Sequence, residues 1–233
     1  MRAFLLLLPL LLTACGTAEE VSDDVADTTV AVAETTADVA VAGAEAVADL
    51  ATGAYNEARG ALGADDVPDD ARVAIAQIRT PDDTTSSVRG VVSFVETEGG
   101  VRVRYELAGM GGPDAHGVHV HAGSSCAAAD VDDDGYAEAG GAAGAHLNPG
   151  DAPHGAPGDP MSQKHAGDLG NVTPDANGRA SGVKSIEGLA FEGDRSVVGR
   201  ALIVHAKPDT FNDAGAMAGG RVGCGIITLA ERR

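Results

Sequence analysis

All seven histidines of this 233-residue chain lie between positions 116 and 205. His119-Val120-His121 sits in a run of strand-forming residues. Side chains alternate across a strand, so both imidazoles leave one face, about 7 Å apart along the backbone. Such a pair can start a metal site or belong to a packed polar face. A second group is more telling: His146, His154 and His165 are followed by Asp168, all in a Gly/Pro-rich stretch. Three imidazoles and one carboxylate fill the four positions that zinc prefers and close the site. Without a metal, the same stretch would be a surface loop with solvated histidines. His205 ends the apolar run Ala201-Leu202-Ile203-Val204. There it can join His119 and His121 around a second metal, for which imidazole ligands suit copper.

Short strands must position these groups. Val73 to Ile78 alternates, Val88 to Glu96 and Val101 to Leu107 are rich in β-formers, and Thr97-Glu98-Gly99-Gly100 between them reads as a turn. Val118 to His121, Ala180 to Ile186, Ser196 to Val204 and Gly225 to Ala230 read as further strands. No segment in this part has the length and period of a long helix, so an all-β antiparallel sandwich or barrel is expected. Two long segments, Gly123 to Asn171 and Lys207 to Gly220, are full of Gly, Ala, Pro and Asp. Loops of this length in a compact domain are functional or disordered, and these hold or flank most of the histidines.

The first 70 residues differ. Met1-Arg2 and the apolar run Ala3 to Ala14 form a signal-peptide pattern too short to span a bilayer. The run ends Leu12-Thr13-Ala14-Cys15, which resembles the lipobox of bacterial lipoproteins and implies lipid on Cys15; cleavage near Ala14 to give an ordinary secreted protein is the alternative. Gly16 after the cysteine points to the outer membrane by the same analogy. Residues 16–70 carry 14 acidic residues against one basic, whereas residues 71–233 carry 21 against 14, so most of the net charge of -19 lies in this segment. Its Ala/Val/Asp/Thr composition buries too little apolar surface to offset chain entropy, and a mostly disordered tether is expected. As a flexible coil it would reach about 40 Å. Val47, Leu50, Ala54, Ala58 and Leu62 recur at helical spacing, although Gly53 and Gly60 weaken a helix there. Nucleic acid is excluded as a partner, because no basic patch of the needed size exists. With Cys15 lipidated, Cys126 and Cys224 remain, and an oxidising compartment would let them form a disulfide.

Gly117-Val118-His119-Val120-His121, His146-Leu147-Asn148-Pro149 and His165-Ala166-Gly167-Asp168-Leu169-Gly170-Asn171 stand in this order, followed by Val204-His205-Ala206-Lys207 and Gly220-Arg221-Val222-Gly223-Cys224-Gly225. From about Ala71 to the C-terminus, this pattern resembles the Cu/Zn superoxide dismutase family, and its exported bacterial members in particular. The resemblance implies an eight-stranded antiparallel Greek-key barrel that converts superoxide to oxygen and hydrogen peroxide. It implies copper on His119, His121, His146 and His205. It implies zinc on His146, His154, His165 and Asp168, with His146 bridging. Arg221 matches the arginine that orients superoxide, and Cys126–Cys224 the family disulfide. Asp209 matches a carboxylate that links ligand histidines of the two metals. His116, three residues from His119, faces the other way and is expected to bond backbone.

Some features depart from the family. An insertion between Cys126 and His146 contains Asp130, Asp132, Asp134 and Gly135, the opening of a calcium loop; Gly141 stands where the bidentate Glu belongs, which favours a solvated acidic turn. The stretch from Pro208 to Gly220 lacks the lysines that often steer superoxide in relatives. A non-enzymatic copper/zinc-binding surface lipoprotein is the alternative function, against which the complete ligand set and Arg221 weigh. A structural, zinc-stapled lipoprotein would need neither His205 nor Arg221. Periplasmic or cell-surface placement and a homodimer are left open, since bacterial members differ.

Overall fold

The computed structural model describes residues 71–81, 85–130, 136–212 and 218–230. The signal peptide, Cys15, the tether with its helical spacing, and Asp132, Asp134 and Gly135 lie outside these residues.

Eight strands form in chain order: β1 (Val73–Ile78), β2 (Arg89–Thr97), β3 (Gly100–Ala108), β4 (His116–His121), β5 (Asp168–Val172), β6 (Ala180–Glu187), β7 (Ala201–His205) and β8 (Arg221–Leu229). A single 3₁₀ turn at Gly141–Ala143 is the one helical element among the described residues. The strands make one sheet in the order β5-β4-β7-β8-β1-β2-β3-β6. Every pairing is antiparallel. The neighbours β1/β8, β3/β6 and β4/β7 are far apart in sequence, as Greek-key connections require. The edges β5 and β6 approach each other, so the sheet curls into a nearly closed barrel. Lys184 of β6 bridges this seam: its ammonium donates to the carbonyls of Leu169 at 2.9 Å and Asn171 at 2.5 Å on β5. An edge that would expose unpaired carbonyls is covered by a side chain instead.

Alternation decides which groups fill the barrel. Ala74, Ala76 and Ile78 of β1, Phe94 of β2, Val118 and Val120 of β4, and Leu202 and Val204 of β7 point into one buried core. The intervening residues of β4 and β7 must then face outward. His119, His121, Ala201, Ile203 and His205 are nevertheless all buried. The long segment between β4 and β5 lies over this outer face, where Ala143 packs with Ala201, Ile203 and Cys224. The sequence reading places Asp168 to Asn171 at the end of a long loop; in the structure they open strand β5, with Gly170 at φ +75°, a backbone that favours glycine.

Candidate metal centre

Strand register gathers the site. On β4 and β7, His119 lies opposite Ile203 and His121 opposite Ala201, so His205 leaves the same outer face as the H-x-H pair. Between β7 and β8 the register shifts after Val204, pairing Val204 with Gly223 but His205 with Arg221. Such a bulge re-aims a side chain, and here it sets Arg221 beside His205. A second shift between β4 and β5 pairs His119 with Asp168. The segment after β4 delivers His146, which bridges to His121 as an isolated β-pair. It is pinned by the Cys126–Cys224 disulfide, which joins residues 98 apart in sequence with Cα atoms at 5.9 Å. Gly167 permits the close approach: a Cβ there would stand 2.1 Å from the Val120 carbonyl oxygen.

Two groups of ligand-type atoms result. His119, His121, His146 and His205 bring nitrogens within 4.8 Å of one another, as do His146, His154, His165 and Asp168 with their nitrogens and a carboxylate oxygen. In the first group, hydrogen bonds choose the tautomers. His121 Nδ1 donates to the Gly144 carbonyl at 2.7 Å and His205 Nδ1 to that of Gly219 at 3.1 Å. Both Nε2 atoms therefore carry lone pairs, and they stand 3.4 Å apart. His119 Nε2 donates to Asp209 Oδ2 at 2.8 Å, which leaves a lone pair on Nδ1. That atom is buried and has no hydrogen-bond partner. A buried acceptor without a donor is costly, and lone pairs facing each other call for a cation. Bonds of about 2.0 Å at the tetrahedral angle put ligand nitrogens about 3.3 Å apart, so the spacing suits a metal. Burial holds His205 down to about 3 and His121 well below its ordinary value, with neighbouring imidazoles adding to the shift. These rings are neutral at neutral pH, the form that binds metal.

In the second group, Asp168 Oδ2 accepts the backbone N–H groups of His165 at 2.8 Å and Gly155 at 3.2 Å. Oδ1 is left to the imidazoles, lying 3.0 Å from Nδ1 of His146, 3.0 Å from Nδ1 of His154 and 3.4 Å from Nδ1 of His165. His146 Nδ1 and His165 Nδ1 are 3.2 Å apart. His146 thus turns one nitrogen to this group and has its other ring nitrogen for the first. Burial lowers its pKa to about 4, against the opposing pull of Asp168.

Asp209 ties the two groups together. Besides His119, it accepts His154 Nε2 on Oδ1 at 2.8 Å. Burial works to lower the pKa of His154, but the Asp168 and Asp209 carboxylates outweigh it and raise it to about 9. Asp209 itself is held well below the usual carboxylate range: burial opposes the shift, and the bonds from His119 and His154 overcome it. Asn171 locks the loop, its Nδ2 donating to the Asp209 carbonyl and its Oδ1 accepting the Asp209 N–H, both at 2.8 Å. In the sequence Asn171 merely closes the His165 to Asn171 motif; its short polar side chain on a strand gives no sign of a partner 38 residues away.

Arg221 donates to the carbonyls of Gly140 and, at 2.9 Å, Gly144. The Gly144 carbonyl therefore serves both His121 and Arg221. His116 faces away from the site, as its parity requires, and Nδ1 donates to the His205 carbonyl at 2.7 Å. Gly141, the twelfth position of the acidic turn, packs so closely that a Cβ would meet the Ala129 carbonyl oxygen at 2.1 Å, leaving no room for a side-chain ligand.

Comparison with known proteins places this arrangement. The family model described as copper/zinc superoxide dismutase (SODC) matches residues 88–227. The chain is 36% identical over 154 residues to superoxide dismutase [Cu-Zn] 2 of Brassica juncea, covering 63% of this chain and 93% of the relative. Among solved structures, that titled as a crystal structure analysis of the clock protein EA4 is similar, with 30% identity and a TM-score of 0.54 over 67% of this chain and 93% of the other. The strand register, the paired histidine groups and the match across most of the barrel lead to one assignment: the chain belongs to the copper/zinc superoxide dismutase family.

Proposed function

We propose that the chain dismutates superoxide, two superoxide anions and two protons giving oxygen and hydrogen peroxide. The observation that carries this reading is the buried lone pair on His119 Nδ1, in a group where backbone carbonyls also orient His121 and His205. His119, His121, His146 and His205 would hold copper, and His146, His154, His165 and Asp168 zinc, with His146 shared as the bridge. When bound, copper supplies a one-electron redox couple and zinc a fixed charge that does not change oxidation state.

The chain's own residues do the rest. Asp209 accepts from both His119 and His154, so it fixes which nitrogen of each ring is free and how each ring is turned. Arg221 spends part of its guanidinium on the Gly140 and Gly144 carbonyls, which fixes its position. Its remaining N–H groups can bind and orient an anion, a preorganised electrostatic contribution. When the His146 nitrogen away from Asp168 is not holding metal, it can carry a proton and release it to peroxide as product forms, while Nδ1 stays oriented toward Asp168.

The chain is further read as an exported bacterial lipoprotein: a signal peptide over residues 1–15, lipid on Cys15, a tether over 16–70 and the catalytic domain over 71–233. The lipobox-like Leu12-Thr13-Ala14-Cys15 supports this, as does the Cys126–Cys224 disulfide, since such bonds persist in oxidising compartments. Metal content and superoxide consumption of the chain expressed from Gly16 and reconstituted with both metals test the enzyme. About one copper and one zinc per chain are expected. Activity should vanish in His119→Ala and fall in Arg221→Ala. Full zinc loading without copper-dependent activity would instead favour the metal-storage alternative.

A further inference from the structure

An arginine-lined cleft lies on the outer face of β1, β2, β3 and β6, away from the histidines. It has a volume of about 770 Å³ and is lined by Arg79, Arg89, Arg104 and Arg179, with Glu106 as the one carboxylate among its described lining residues. Its size is that of a small-molecule site. Register explains the gathering. Ile78 pairs with Gly90, so Arg79 and Arg89, one residue further on, face each other across β1 and β2. Arg89 pairs with Ala108, and Leu107 with Ala180, which sets Arg179 two strands from Arg89 on the same face. Like charges directly opposite on neighbouring strands cost stability.

Within the described residues they are only partly neutralised, with Asp175 acting on Arg179 from outside the cleft. Arg104 pairs with Glu106. Arg79 reaches only the neutral Gln77 side chain at 3.3 Å, and Arg89 the Ser87 carbonyl at 3.3 Å. Arg79, Arg89 and Arg179 are exposed. Four of the 14 basic residues of a segment with a net acidic charge thus converge on one cleft, whose described lining residues carry a net positive charge.

We propose that this cleft binds an acidic oligosaccharide, a carbohydrate bearing carboxylate or sulfate groups on successive sugars. Guanidinium forks match such oxyanions bidentately. Adjacent strands are about 4.8 Å apart, so Arg89 and Arg179 stand about 10 Å from each other and call for more than one anionic group. Gln77, Ser181 and the free edge of Glu106 offer partners for sugar hydroxyls between the charges. Single-stranded nucleic acid fits less well, because no aromatic ring is among the described residues lining the cleft to stack a base.

Calorimetric titration of the metal-loaded chain, expressed from Gly16, with tetragalacturonate and with a sulfated tetrasaccharide tests this. Neutral maltotetraose and a short oligo(dT) serve as controls. At least one acidic tetrasaccharide should bind, more weakly as salt rises, and the two acidic probes tell carboxylate from sulfate recognition. Arg89→Gln with Arg179→Gln should weaken binding by about tenfold or more while dismutase activity and melting temperature hold. Absence of binding by both acidic probes at millimolar concentration would overturn the proposal. So would unchanged affinity in the double variant, oligo(dT) binding as tightly, or a loss of dismutase activity in place of a loss of binding.

Discussion

Three imidazoles owe their orientation to what the second ring nitrogen touches. Asp209 holds His119, and the carbonyls of Gly144 and Gly219 hold His121 and His205. Removing such a partner leaves the ligand in place but frees its tautomer. Asp209→Ala is therefore expected to lower metal affinity by about 10–100-fold, measured by competition with a chelator. Both metals should be affected, because His119 and His154 lose their acceptor together. A change confined to one metal would contradict the linking role. His119→Ala should behave differently, losing copper and activity while zinc is retained. The histidines were legible in the sequence because ligation needs particular side chains. The glycine carbonyls that orient them were not, since a backbone acceptor has no signature in residue type.

At the scale of elements, the disulfide and the Lys184 seam hold the barrel's metal-bearing side. Cys126→Ser with Cys224→Ser removes a cross-link between residues 98 apart that restricts the unfolded chain, and should cost about 2–5 kcal/mol of unfolding free energy by denaturant titration. Activity should fall further than stability alone explains, because Cys224 packs with Ala143 beneath the segment that carries Gly144. Lys184→Met removes two hydrogen bonds from a charged donor that burial already pushes below the usual lysine value. A loss of about 1–3 kcal/mol is expected. Amide exchange should quicken first in β5, the edge this ammonium covers; uniform quickening would argue against a seam. The alternation of β1 to β4 was readable because one face packs the core. Strand β5 was not, since Asp168 is spent on the site, Gly170 has left-handed backbone, and only Leu169 and Val172 show an apolar face. The bulge that sets Arg221 beside His205 was hidden as well, because register is a property of two strands, and Val204-His205 alone carries no mark of it.

For the whole molecule, charge and function are separated along the chain. Residues 16–70 hold most of the net negative charge, and residues 71–233 about half as much. Screening acts over about 8 Å at physiological salt, so if residues 16–70 form the proposed tether, its charges held further than that from Arg221 leave the approach of an anion largely undisturbed. If Cys15 carries the lipid, Cys15→Ser should move the protein from the membrane to the soluble fraction with dismutase activity unchanged. Retention in the membrane fraction would contradict the anchor. The central claim is that two different metals sit on opposite sides of His146. Anomalous diffraction from the reconstituted chain, recorded at the copper and zinc edges, tests it most directly. A copper peak is expected among His119, His121, His146 and His205, and a zinc peak among His146, His154, His165 and Asp168. One metal peak alone, or both metals away from His146, would contradict it.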